Sequence, residues 1–224
     1  MVTPARLLAK SPWARARWLV LAPHQDDETL GAGALIAETA AAGRLAAVAY
    51  LTDGSGSHPA TCRGLPGIRR REARLAIRRL GAGDVPVLDI GWQDARPMAT
   101  GSAGFARSCG KLAAVLRRHR VDAIAVTAGI EPHCDHAAAH DVAVAVAASA
   151  HRRIAVFGYH VWSEPPPACS TDIVATRAMR PGLRRAALQA HRSQLSALFG
   201  PGFRLTPERM RMPAFDRLYR ERRP

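Results

Sequence analysis

The chain has 224 residues, 48% of them hydrophobic and 5% aromatic, with a formal net charge of +14. That length and apolar content suit one globular domain over 1–224 with a sizeable core. The excess charge is nearly all arginine spread along the chain, aromatic platforms are few, and no helix-turn-helix, zinc-finger or RNA-binding signature is present, so no nucleic-acid partner is expected and the charge reads first as general arginine usage and second as an attraction for anionic substrates.

Taken in order, the first apolar run, from Trp18, predicts a buried strand over 19–22 that Pro23 ends. The run leads into an acidic motif instead of a small-residue cleavage site, so it is not expected to be a signal peptide. An alanine-rich helix follows over 34–42 and stops at Gly43. Further strands are predicted over 45–52, 85–91, 121–127 and 154–161, and further helices over 68–80, 105–119, 137–150 and 180–199. Strand–helix alternation of this kind predicts an α/β fold, a Rossmann-like doubly wound, mostly parallel sheet with helices on both faces. A triple proline follows Glu164, and the tail to Pro224 is basic with weak periodicity. The apolar stretch 137–150 is too short for a transmembrane span and carries His140 and Asp141, so no stable membrane insertion is expected. Cys62, Cys109, Cys134 and Cys169 form no CxxC pair, which points to a reducing, cytoplasmic setting.

Two dense polar clusters stand at predicted strand ends. His24, Asp26, Asp27 and Glu28 follow the first strand, and Glu131, His133, Asp135 and His136 follow the fourth. In an open α/β sheet the carboxyl ends of the strands are where ligands bind, so folding is expected to bring both clusters to one edge. Helix capping is the plain alternative for each, but it needs one acid where the first cluster has three and an imidazole. Unprotonated His and Asp are zinc ligands, and a neighbouring carboxylate is free to act as a base. Asp135 is placed to orient His133. The loop 53–59 is the kind that surrounds a ligand, and Asp53 and His58 read equally as metal neighbours or turn residues. No GxGxxG follows the first strand and no GxxxxGK[ST] occurs, so a dinucleotide is not required. Trp162, at the end of the fifth strand, is a candidate to stack on a sugar ring or to pack at the rim.

HQDDETLG at 24–31 together with HCDH at 133–136 resembles the zinc-dependent N-acetylglucosaminyl deacetylases of the PIG-L/LmbE family, whose pattern is HPDDE after the first strand and HPDH after a later one. The likeness extends through RRREARLAIRRLG at 69–81 and HRSQ at 191–194, with Gln25 and Cys134 where the family usually has proline. The resemblance implies His24, Asp27 and His136 as ligands of Zn2+ or another divalent metal, Asp26 as general base, and His133 as a protonated group facing the reacting carbonyl. It also implies Arg69 and Asp94 as contacts for sugar hydroxyls. Three N/O ligands leave the open position that a catalytic zinc needs, whereas adding His140 would close it. The implied activity is removal of an N-acetyl group from an N-acetylglucosamine-type conjugate, anionic ones included. Hydrolysis of another amide or ester is the near alternative, and a basic nucleic-acid-binding module the distant one.

Overall fold

The computed structural model describes residues 5–59, 62–164 and 172–220; the triple proline and Cys169 lie outside them. The described strands are β1 (Arg6–Leu7), β2 (Trp18–Ala22), β3 (Leu45–Thr52), β4 (Val87–Trp92), β5 (Ala123–Thr127), β6 (Ala155–Tyr159), β7 (Ile173–Ala175) and β8 (Arg217–Arg220). The helices are α1 (Asp27–Ala41), α2 (Leu65–Arg79), α3 (Ala103–Arg118), α4 (Cys134–Ser149), α5 (Leu183–Leu188) and α6 (Arg192–Leu195). All strands join one sheet in the order β1-β7-β8-β6-β5-β2-β3-β4. Every pairing is parallel except those of β8, which runs antiparallel to β6 and β7. The expected α/β, mostly parallel sheet with helices on both faces is therefore what the chain adopts.

Side chains alternate across the sheet with the period of two that a strand imposes. Trp18, Val20 and Ala22 join a core beneath α1, α2 and α5, while Leu19 and Leu21 join a second core beneath α3 and α4. From β2 the chain winds outward to β3 and β4, then crosses back to β5 and continues to β6. The winding direction thus reverses between β2 and β5. At such a switch point the loops leaving the two strands diverge and open a crevice at their carboxyl ends.

Two segments differ from the sequence expectation. Helix α1 starts at Asp27, seven residues earlier than the apolar pattern suggested, because Asp27, Glu28 and Thr29 are polar yet fully buried. The helix expected over 180–199 is broken between α5 and α6, where Ala190 and His191 are buried at the turn and His191 takes ψ 59°. The short strands β1, β7 and β8 were not anticipated. No helix among the described residues is long and apolar enough to cross a membrane.

Close packing of α1 on the sheet makes one testable demand. A Cβ on Gly31 would lie 2.2 Å from Cδ2 of Tyr159, a fully buried ring whose hydroxyl donates to Leu21 O at 3.2 Å. Gly31→Ala should therefore destabilise the fold by about 1–3 kcal/mol despite its better helix propensity. A denaturant midpoint at or above that of the parent chain would show that α1 can slide off the ring.

Candidate active site

The β2 and β5 loops meet where the topology places them. His24, Asp26, Asp27, His133 and His136 line one cavity of about 620 Å³. Asp94, from the loop after β4, and Arg69, from α2, line it too, and Trp162, Phe203 and Arg209 stand on its wall. Asp135 is completely buried just behind.

In the first cluster the capping falls to Glu28, whose carboxylate accepts the main-chain N–H of Asp26 at 2.9 Å. Asp26 occupies the N-cap position of α1, but its side chain makes no cap hydrogen bond. Its backbone has φ 145° and ψ −30°, a conformation L residues rarely adopt and that costs about 1–3 kcal/mol to hold. For the second cluster capping and lining coexist: His133 is the N-cap of α4, its Nδ1 accepting the Asp135 N–H at 3.2 Å. With Nδ1 accepting, the proton of a neutral ring sits on Nε2. Burial and the nearby His24 and His136 lower the His133 pKa, against the pull of Asp135 and Asp94. Both observations favour a neutral ring with an Nε2–H donor over the protonated group that the resemblance implies.

The two other imidazoles have their tautomers set by carboxylates. His24 Nε2 lies 3.0 Å from Asp135 Oδ2 and 3.2 Å from Asp94 Oδ1. His136 Nδ1 lies 3.2 Å from Glu131 Oε2. A carboxylate only accepts, so both of these nitrogens carry protons. The opposite nitrogens face a carboxylate too: they converge on Asp27, whose Oδ2 is 3.1 Å from His24 Nδ1 and 3.2 Å from His136 Nε2. In a tetrahedral zinc site with ligands near 2.0 Å, neighbouring ligand atoms are about 3.3 Å apart. His136 Nε2 is buried and makes no hydrogen bond among the described residues. Two imidazole nitrogens and a carboxylate oxygen at these spacings are a donor set that fits a divalent cation, which would take the place of the ring protons; the same Asp27 oxygen also accepts the His24 main-chain N–H at 3.0 Å.

The charges describe rings held to Asp27 by protons: burial opposes the charged form of His24, but bonds to Asp135, Asp27 and Asp94 raise its pKa well above the usual value. Burial opposes the charged form of His136, but the Asp27 charge and bonds to Asp27 and Glu131 raise its pKa to about 9. Burial likewise opposes a charged Asp27, yet His136 and His24 hold its carboxyl far below the usual range. Asp26 behaves in the opposite way: burial and the neighbouring Asp27 charge push it up to about 7, although Arg69, His191 and His24 pull it down.

Two further groupings have ligand atoms close enough to share an ion; both include His133 and neither includes Asp27. Ligand atoms of His24, His133 and His136 lie within 4.8 Å of one another, as do those of His24, Asp94, His133 and Asp135. In the latter set His24 Nε2 already serves Asp135 and Asp94. Asp135 departs from its expected role: its carboxylate holds His24 and the Ala95 N–H (2.8 Å), and only its main-chain N–H reaches the His133 ring. Asp53 is a turn residue, its Oδ1 accepting from Ser55 N at 2.9 Å. His58 bonds Ser57 Oγ at 3.0 Å and belongs to neither metal-ligand grouping.

Arg69 is not the surface partner of Glu72 that helical spacing allows. It is 2% exposed and spends its donors on the protein, with Nη1 to Gly54 O at 3.0 Å and Nη2 to Gln25 O at 3.1 Å. Its guanidinium is 3.7 Å from Asp26 and 3.8 Å from Asp94. Asp94 in turn accepts the Gly56 N–H at 3.1 Å. Trp162 is not a bare stacking platform, because Arg209 sits over its ring at 5.1 Å and Phe203 meets it edge-on at 5.9 Å. Gln25 replaces the stiffness of a proline with hydrogen bonds, its Nε2 donating to Thr52 O at 2.9 Å. Cys134 is exposed and joins neither metal-ligand grouping.

Glu131 is the residue whose role the sequence hid. Besides His136 it accepts from the N–H groups of Val161, Trp162 and Ser163 and from the Ser163 hydroxyl, so one carboxylate ties His136 to the loop that carries Trp162.

Comparison with known proteins fits this geometry. Residues 19–147 match the PIG-L family, described as GlcNAc-PI de-N-acetylase, and the chain belongs to that family. The match spans both polar clusters. Among solved structures the chain resembles N,N'-diacetylchitobiose deacetylase from Pyrococcus horikoshii (19% identity over 94% of this chain and 85% of that one, TM-score 0.67). It also resembles the conserved protein TT1542 from Thermus thermophilus (28% identity, 80% of each chain, TM-score 0.58). A third is the zinc-inhibited form of the teicoplanin deacetylase Orf2 (18% identity over 91% of this chain and 97% of that one, TM-score 0.63). No curated protein sequence matches the chain.

Proposed function

We propose that the protein is a zinc-dependent hydrolase that removes the N-acetyl group from an N-acetylglucosamine-type conjugate. The observation that carries this reading is the convergence of three ligand-type atoms, His24 Nδ1, Asp27 Oδ2 and His136 Nε2, beside Asp26 in one cavity. Family membership and the deacetylases among its structural neighbours support the acyl chemistry. His24, Asp27 and His136 would hold the metal; His133 is left out so that its Nε2–H can face the reacting carbonyl and a coordination position stays open for water. When bound, zinc or another divalent ion supplies polarisation of the acyl oxygen and acidifies the attacking water to a pKa of roughly 7.

The remaining steps fall to the chain. Asp26 takes the proton of the attacking water as its oxygen adds to the acyl carbon. His133 donates its Nε2–H to the oxygen that gains negative charge. A neutral imidazole cannot then protonate the amine, so Asp26 returns its proton to the departing nitrogen as the C–N bond breaks, giving acetate and the free amino sugar. Asp94 and, with fewer donors to spare, Arg69 edge the space for sugar hydroxyls. Arg209, whose Nη1 and Nη2 donate to Val161 O at 3.0 Å and Trp162 O at 3.1 Å, puts a positive charge on the cavity wall, which favours conjugates bearing an anion beyond the sugar. The protein should work as a soluble, cytoplasmic enzyme.

The deciding experiment measures acetate release from neutral and anionic N-acetylglucosaminides and from simple esters, after chelation and after zinc is restored. Release from the sugar conjugates should vanish on chelation and return with stoichiometric zinc. Hydrolysis confined to esters would move the protein to the neighbouring class of acyl hydrolases, and turnover indifferent to chelation would end the metal reading.

A further inference from the structure

The HRSQ segment takes no part in the chemistry above, yet His191, Ser193 and Gln194 are each completely buried. Each of them meets one residue of an earlier motif. His191 Nε2 lies 3.1 Å from Glu28 Oε1. Ser193 donates to Glu72 from its main chain (2.9 Å) and its hydroxyl (2.6 Å). Gln194, with its amide oxygen toward Arg69, accepts from Nε at 2.5 Å and Nη2 at 2.6 Å. These contacts are why α5 and α6 are separate: a continuous helix could not turn all three side chains inward.

The Glu28 contact reaches furthest. Asp26 holds its positive φ only while its main chain is pinned on both sides. Its carbonyl is pinned by α1, accepting from Thr29 N and Leu30 N at 2.9 Å each. Its N–H is pinned by the Glu28 carboxylate, through Oε2 at 2.9 Å. Glu28 is itself completely buried, and a buried carboxylate must be met by donors or it rotates away. The other oxygen of Glu28 is met by the Thr29 hydroxyl at 2.5 Å and by His191. Since a carboxylate only accepts, the His191 ring donates from Nε2.

We propose that His191 is a positioning residue for the Asp26 base: by holding the Glu28 carboxylate it keeps the Asp26 N–H anchored and the acid aimed into the cavity. This rests on the reading of Asp26 as the proton acceptor. The late motif thereby acts on the reaction from behind the first one, across 163 positions of sequence.

The test combines kinetics with amide exchange. His191→Leu should lower kcat roughly ten- to hundredfold, the scale of a small misplacement of a reacting group, with KM and metal content within about twofold. His191→Gln, which restores an N–H donor, should recover most of the loss. In an Asp26→Asn background His191→Leu should change the residual kcat little, because its effect runs through Asp26. Equal losses in both backgrounds, or unchanged kcat in the parent background, would overturn the proposal. Independently of turnover, the Asp26 amide should lose exchange protection in His191→Leu while the Leu19–Ala22 amides keep theirs. Retained protection at Asp26 would also overturn it. If His191→Leu does not fold, Thr29→Val removes another Glu28 donor at matched volume and should show the same pattern more weakly. Should the parent chain release no acetate from any conjugate, the function reading falls and the exchange measurement alone decides the anchoring.

Discussion

Asp26→Asn should keep its metal and lose turnover by a factor of about 10²–10⁴, the usual contribution of a positioned acid–base group. The change is nearly isosteric, so the main-chain bond to Glu28 and the Arg69 environment persist. What goes is the ability to accept a proton and to return it. Because one residue serves both the addition step and the departure of the amine, no second group is placed to compensate. Asp27→Asn should behave in the opposite way. Asp27 Oδ2 stands between the two imidazole nitrogens, and an amide there supplies a weaker ligand and can turn an N–H toward them. Metal content should fall first, and activity with it. Metal analysis beside kinetics separates the two variants, and loss of metal from Asp26→Asn with retention in Asp27→Asn would exchange their roles.

How much of this was legible beforehand depends on how far apart the interacting residues lie. Strands β2 and β3 are apolar throughout and were read almost to their ends, because full burial leaves nothing else for such runs to do. HQDDE and HCDH were legible because each packs several ligand-type residues into a few positions at a strand end. The start of α1 was read late because hydrophobic periodicity does not register buried Asp27, Glu28 and Thr29. β8 was hidden in a basic tail, and β1 and β7, at two and three residues, are too short to show a period. The carboxylates that support the site were hardest to see. Glu28, Glu72 and Glu131 meet partners 163, 121 and 32 positions away, and nothing local distinguishes them from solvated acids. Arg69 stands out in the sequence and does line the cavity, but only the fold shows that its donors face the protein.

The sharpest test of the metal site contrasts three histidines within eight positions. Helical spacing pairs His136 with His140, one turn apart on α4, in the manner of zinc proteins that use an i, i+4 pair. The fold separates them. His136 is fully buried with Nδ1 held by Glu131 and Nε2 facing Asp27. His140 instead packs against the β5–α4 loop so closely that a Cβ on Gly129 would come within 2.9 Å of its Nδ1, and it belongs to neither metal-ligand grouping. His133 lines the cavity, with Nδ1 fixed as the helix cap and Nε2 left for the substrate. Three outcomes should follow. His136→Ala loses metal and activity together, because a tridentate set falls to two. His133→Ala keeps the metal and loses about 10²–10³ in kcat, the scale of one oxyanion donor. His140→Ala keeps the metal and most of the activity, at some cost in stability from the emptied contact with Gly129. Metal content, kcat and melting temperature measured on the same preparations distinguish these patterns. A metal-free His140→Ala protein would make four protein ligands, closing the position that water needs, and the hydrolase reading could not survive it.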